Sequence, residues 1–197
     1  MNINLLYIDD RPEEALAKYL DREYSHAEHI TQYSDIVFDP SNGYESLLVD
    51  PKVKSANVII VDSRLFENRT ATGGKFTGEE FKVVLKKFYP FIEVIVITQN
   101  GLDDSIEMLP KYDPESGQTS TEYYHSKLSP YINEAIANIE QYWLLAEKMK
   151  VNQSWETVLK DKVLAALNGI NDYDELTKAD IDNLILAFKE IQECLDE

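Results

Sequence analysis

Asn4-Leu5-Leu6-Tyr7-Ile8-Asp9-Asp10 decides the reading of this chain, because an apolar run stops abruptly at two carboxylates. The same event recurs twice. Val58-Ile59-Ile60-Val61 runs into Asp62, and Val94-Ile95-Val96-Ile97 runs into Thr98. Runs that are apolar at nearly every position predict strands buried on both faces, as in a parallel sheet covered by helices. In such sheets ligands bind in the crevice beyond the carboxyl ends of the strands. Asp9, Asp10, Asp62 and Thr98 are therefore expected on one rim, joined there by Lys127 after a further strand over 119–126. Three carboxylates, a hydroxyl and an ammonium suit a divalent cation beside a phosphoryl group.

Between these runs lie helical patterns. Arg11-Pro12-Glu13-Glu14 opens a helix, since proline fits a first turn and glutamates suit the positive end of the helix dipole. A weaker strand is expected over 28–33 and a short helix over 44–49. A Gly- and Thr-rich loop follows over 67–77, then a helix spaced by Phe81, Val84, Leu85 and Phe88. A short helix belongs near 102–109. Alternation of this kind is the signature of an α/β, doubly wound sheet, here with five parallel strands. From Pro130 the pattern becomes helical throughout. Ile132, Ile136, Ile139, Trp143 and Ala146 form one apolar stripe. A helix over 155–167 capped by Ser154 follows, then the turn 168–172. A last helix from Thr177 carries Ile181, Leu184, Ile185, Phe188, Ile191 and Leu195. The chain thus divides into 1–147 and an acidic helical extension, 148–197.

The 197 residues carry 36 acidic against 19 basic side chains, a formal net charge of −17. The part beyond residue 150 holds 4 basic and 11 acidic residues. Nucleic-acid phosphates and anionic membrane surfaces both call for a basic face, so neither is an expected partner. The single Cys194 forms no internal disulfide, and no stretch has the length of a signal peptide's apolar core or a membrane span; a cytoplasmic location is expected. His26, His29 and His125 lack clustered ligand partners in sequence and read as surface or partly packed histidines. Gly73-Gly74 near Lys75 and Thr77 lacks the ending of a phosphate loop.

Asp9-Asp10, Asp62, Thr98 and Lys127, in this order on these elements, resemble the receiver domain of two-component response regulators, over residues 3–145. The resemblance implies a flavodoxin-like receiver fold. It also implies that Asp62 is the phosphoacceptor. Asp9 and Asp10 would hold Mg²⁺, with Asp10, Asp62 and the backbone carbonyl of Arg64 as direct ligands. Thr98 would bind the phosphoryl group and Lys127 would neutralise it. Tyr124, three residues before Lys127, falls where receivers place the aromatic whose rotamer follows the threonine. The implied partners are a histidine kinase or phosphotransfer protein and a downstream protein contacted through the C-terminal helices. The stripe from Ile132 to Ala146 also leaves a homodimer open. Thr98 and Lys127 lie 29 positions apart, longer than the compact receiver spacing. Two other readings stand beside this one: a phosphorylation-independent adaptor on the same fold, and a Mg²⁺-dependent phosphohydrolase. The familiar hydrolase arrangement wants an aspartate two residues after its nucleophile, where this chain has Arg64.

Overall fold

A computed structural model describes residues 1–65, 77–99, 108–151 and 157–167. Nearly all of the loop expected over 67–77, with Gly73-Gly74, nearly all of the helix expected over 102–109, the Ser154 cap, the turn at 168–172, the helix from Thr177 and Cys194 lie outside the described residues.

The chain opens with β1 (Asn2–Asp9), then α1 (Glu14–Lys18), which continues into a π-helical turn over Tyr19–Glu23. β2 (Ile30–Val37), α2 (Glu45–Val49), α3 (Pro51–Ser55) and β3 (Val58–Asp62) follow. Next come α4 (Gly78–Phe88), β4 (Glu93–Thr98) and the two-residue β5 (Leu109–Pro110). Three helices finish the described chain: α5 (Ser120–Lys127), α6 (Ser129–Val151) and α7 (Thr157–Leu167). The strands form one parallel sheet in the order β2-β1-β3-β4-β5. This is the doubly wound, flavodoxin-like order, whose switch point lies between β1 and β3.

The apolar runs explain the two layers. Successive side chains leave a strand on opposite faces, so each run feeds two cores. Ile3, Leu5, Tyr7, Val58, Ile60, Ile95 and Ile97 face Leu16, Tyr124, Ile132, Ile136 and Ile139. Leu6, Ile8, Ile59, Val61, Val94 and Val96 face Leu47, Val53, Phe81 and Leu85. Each fully buried aliphatic side chain contributes about 1.5–3 kcal/mol, which holds the central strands firmly and fixes where their carboxyl ends stand.

Two elements differ from the sequence reading. The weak strand expected over 28–33 sits at Ile30–Val37, at the edge of the sheet formed by the described residues. The strand expected over 119–126 is helix α5. Thr119 and Glu122 close a capping box there: Thr119 Oγ1 accepts from the Glu122 N–H, and Glu122 Oε2 accepts from the Thr119 N–H at 2.9 Å. That box satisfies N–H groups left open at the helix start, while Tyr123 and Tyr124 become buried. The fifth strand is instead Leu109–Pro110, paired as Ile97↔Leu109 and Thr98↔Pro110. Proline is tolerated there because β5 is an edge. Helix α6 runs unbroken through residues 147 and 148, packing its first half on β3 and β4 and receiving α7. No described helix is long and apolar enough to cross a membrane.

Candidate functional site

β1 and β3 are neighbours, with Ile8 opposite Val61, so Asp9 and Asp62 leave the sheet side by side at its carboxyl edge. Asp10 follows directly. Carboxylate oxygens of Asp9, Asp10 and Asp62 all lie within 4.8 Å of one another. Asp9 and Asp62 are buried and Asp10 is half-buried. Thr98, one residue past the partner of Asp62 in β4, is buried on the same rim. These four residues stand together at the carboxyl edge of the sheet.

Lys127 is not among them. It is the exposed last residue of α5. The ammonium of the rim comes from Lys111, directly after β5 and 13 positions beyond Thr98. Its Nζ lies 2.8 Å from Asp9 Oδ2 and 2.7 Å from Asp62 Oδ1. Its side chain is 4% exposed, and its backbone N–H donates to the Thr98 carbonyl at 2.7 Å. The lysine moves because the helix that displaced the expected fifth strand carries Lys127 away with it. Tyr124 goes with it, on α5 and not on a strand. The position three before the bridging lysine is Met108.

The remaining donors fix the carboxylates. Asp9 Oδ2 also accepts from the Tyr7 hydroxyl at 2.5 Å, and Asp9 Oδ1 from the Arg11 N–H at 2.9 Å. Asp62 Oδ2 accepts from the Arg64 N–H at 2.9 Å. Burial pulls the Asp9 carboxyl upward, but Lys111, Tyr7 and the Arg11 N–H together outweigh it and hold the group below its ordinary value. For Lys111, burial acts downward, and Asp62 and Asp9 more than reverse it. Asp10 is pushed upward, first by burial and then by the neighbouring Asp9 and Asp62 charges. Asp9 is thus saturated by donors, whereas Asp10 is the strained carboxylate.

Gly78 supports this edge from behind. It begins α4, and its N–H donates to the Ser63 carbonyl at 2.8 Å. A Cβ at this position would stand 2.5 Å from the Asp62 carbonyl oxygen and 2.9 Å from Ser63 Cα. Only glycine lets α4 approach the backbone of the phosphoacceptor candidate so closely.

The donor set fits Mg²⁺. It is all oxygen, three carboxylates share one small volume, and among the described residues one ammonium, that of Lys111, bridges two of them. Elsewhere, Glu28, His29 and Glu140 come together, with His29 Nε2 2.5 Å from Glu140 Oε1. There His29, partly packed, ties the start of β2 to α6.

No family model matches the chain, and no curated protein matches it. Among solved structures it is similar to a two component transcriptional regulator AraC from Clostridium phytofermentans ISDg. That likeness has 17% identity and a TM-score of 0.40, covering 73% of this chain and 98% of the other.

Proposed function

We propose that the chain is a receiver-like phospho-switch that accepts a phosphoryl group on Asp62. The observation that carries this reading is Lys111, whose ammonium bridges Asp9 and Asp62 at the carboxyl ends of two adjacent buried strands. A carboxylate so placed is a nucleophile with a cation already beside it, and Asp10 leaves unbalanced negative charge for a metal. Asp10 and Asp62 would hold Mg²⁺ directly, with the Arg64 carbonyl, and Asp9 would act from behind them. Bound there, Mg²⁺ would supply charge neutralisation for the phosphoryl oxygens.

Asp62 is held by the Arg64 N–H on Oδ2 and by Lys111 on Oδ1. An Asp62 oxygen attacks phosphorus of a phosphohistidine donor, the phosphorus–nitrogen bond breaks, and its electron pair stays on the imidazole, which takes up a proton. Lys111 then follows the new negative charge, and Thr98 lies on the rim to donate its hydroxyl. The chain acts on itself and is not expected to turn over a substrate. The donor would be a histidine kinase or phosphotransfer protein. The acidic composition supports an output by protein contact in place of DNA binding.

The test is incubation with Mg²⁺ and either a small phosphodonor or beryllofluoride, followed by intact mass or tyrosine fluorescence. A change that requires Mg²⁺ and disappears in Asp62→Ala supports the switch. No response at any Mg²⁺ concentration supports the phosphorylation-independent adaptor. Sustained release of phosphate from esters supports the hydrolase.

A further inference from the structure

Tyr7 and Asp9 are two residues apart on β1 and so face the same side of the sheet. The Tyr7 hydroxyl donates to Asp9 Oδ2 and accepts from the Glu13 N–H at 3.2 Å. The Glu13 side chain accepts from the Tyr124 hydroxyl at 2.7 Å, and that hydroxyl accepts from the Tyr112 N–H at 3.1 Å. Tyr112 follows Lys111, whose ammonium returns to Asp9 Oδ2. Hydrogen bonds and two covalent links, one within Glu13 and one from Lys111 to Tyr112, therefore join Lys111, Asp9, Tyr7, Glu13, Tyr124 and Tyr112 in a ring. Both hydroxyls donate once and accept once, with a carboxylate on one side and a backbone N–H on the other. That leaves one direction for each hydroxyl proton, and the two aligned bonds at each hydroxyl polarise one another.

The ring reaches beyond the rim. Tyr124 is buried on α5, its ring centroid 5.6 Å from that of Tyr19. The Tyr19 hydroxyl lies 2.6 Å from Ser129 Oγ, at the first residue of α6. A displacement of Lys111 thus has a contiguous path to both helices.

We propose that this ring positions Lys111 between the two carboxylates and carries the lysine's displacement to α5 and the start of α6, with Tyr7 as a positioning residue and Tyr124 as the relay. The inference rests on phosphorylation at Asp62 for its trigger. A phosphoryl group brings roughly −1.5 to −2 charges and three acceptor oxygens, so Lys111 leaves Asp62 Oδ1 for them. Asp9 Oδ2 then depends on Tyr7, and the Lys111–Tyr112 backbone shift loads the Tyr112–Tyr124 hydrogen bond. Output leaves through helix α5, not through rotation of a strand aromatic.

The test combines Tyr7→Phe and Tyr124→Phe, which keep the packed rings, with hydrogen exchange of residues 112–130 with and without beryllofluoride and Mg²⁺. In the wild type, exchange over 112–130 changes on binding. Tyr124→Phe should bind beryllofluoride within about threefold of the wild type while losing more than half of that exchange change, because the two hydrogen bonds it loses, to the Glu13 carboxylate and from the Tyr112 N–H, lie outside the Asp9–Lys111–Asp62 contacts. Tyr7→Phe should weaken binding roughly tenfold, the effect of removing a hydrogen bond to a charged acceptor. An exchange response that survives intact in Tyr124→Phe, or wild-type binding with no response over 112–130, overturns the ring. Lys111→Met asks the question with no phosphoryl group: it should raise exchange over 112–128, and much less so in the Tyr124→Phe background. A wild type blind to beryllofluoride removes the phosphorylation reading, and equal exchange changes in both backgrounds remove the ring separately.

Discussion

Replacing Lys111 by Met isolates the electrostatics of the rim. The methionine fills the volume of the aliphatic stem, so the change is chiefly the loss of one buried ammonium between two buried carboxylates. Asp9 and Asp62 side chains are 2% and 9% exposed and cannot recover that charge from water. Removing one partner of a buried ion pair costs about 3–5 kcal/mol. Asp9 keeps the Tyr7 hydroxyl and the Arg11 N–H, and Asp62 keeps the Arg64 N–H, so the lower end applies, about 3 kcal/mol. For a chain of this size each kcal/mol moves Tm by about 2–4 °C, and a fall of roughly 6–12 °C is expected at pH 7 in EDTA. Mg²⁺ at about 100 times its Kd would return ~2.7 kcal/mol. The pH dependence has a definite sign. In the wild type the Asp9 carboxyl lies below its unfolded value of about 3.9, so its contribution is present above that pH and is lost as pH falls through the lower folded value. Lys111, raised in the fold, contributes below its unfolded value and loses that contribution as pH rises through the folded one. In Lys111→Met the largest of the contributions that oppose the upward pull of burial on Asp9 is gone, so its folded value moves upward. The deficit should therefore shrink as pH falls from 7 toward 4. Urea unfolding followed by circular dichroism at several pH values measures it. A variant within about 1 kcal/mol of the wild type in EDTA at pH 7, or one indifferent to Mg²⁺, refutes the ion-pair argument.

Asp10→Asn should stabilise the metal-free protein slightly, by no more than about 1 kcal/mol given its solvent exposure, because Asp10 is charged against Asp9 and Asp62; calorimetric titration should show Mg²⁺ affinity lost in the same variant. Gly78→Ala should cost about 1–3 kcal/mol by overpacking, despite alanine's better helix propensity, and should weaken Mg²⁺ binding as the backbone of Asp62 shifts. Urea midpoints and Mg²⁺ titration read both effects; a stabilised Gly78→Ala would contradict the close approach of α4. Tyr33→Phe should leave stability unchanged or raise it by up to about 1 kcal/mol, since the Tyr33 hydroxyl is buried without a hydrogen-bond partner among the described residues; a clear loss in thermal unfolding would show that the hydroxyl has one.

Asp9, Asp10, Asp62 and Thr98 were legible because each ends a strand apolar enough to be recognised alone, and a parallel sheet collects strand ends on one edge. Lys111 was not, for a physical reason: β5 has two residues, one a proline, and no periodicity exists over two residues. Tyr123 and Tyr124 have the side chains of a strand, and the Thr119–Glu122 capping box, visible as Thr-x-x-Glu, was the contrary signal that a helix begins there. Tyr7 was hidden inside an apolar run, where its hydroxyl looked incidental. Glu13 was legible only as a helix-dipole residue, since its partner Tyr124 is 111 positions away. The Glu28, His29 and Glu140 group has the same cause, a contact between chain segments far apart.

The shortness of β5 has a consequence for solubility. In the sheet order, β5 is three strand spacings from β1, about 14 Å, yet the residue after it reaches Asp9. A two-residue strand has little ladder of its own, and Lys111 straps it across the ends of β4 and β3. When that strap is released, the strand next in line is β4, whose Val94, Ile95, Val96 and Ile97 form an apolar, β-branched segment of the kind that pairs with other chains at a bare edge. The rim's charge balance therefore also guards the sheet against edge-to-edge association. Solutions of Lys111→Met should scatter light sooner on warming than those of Asp10→Asn at equal concentration.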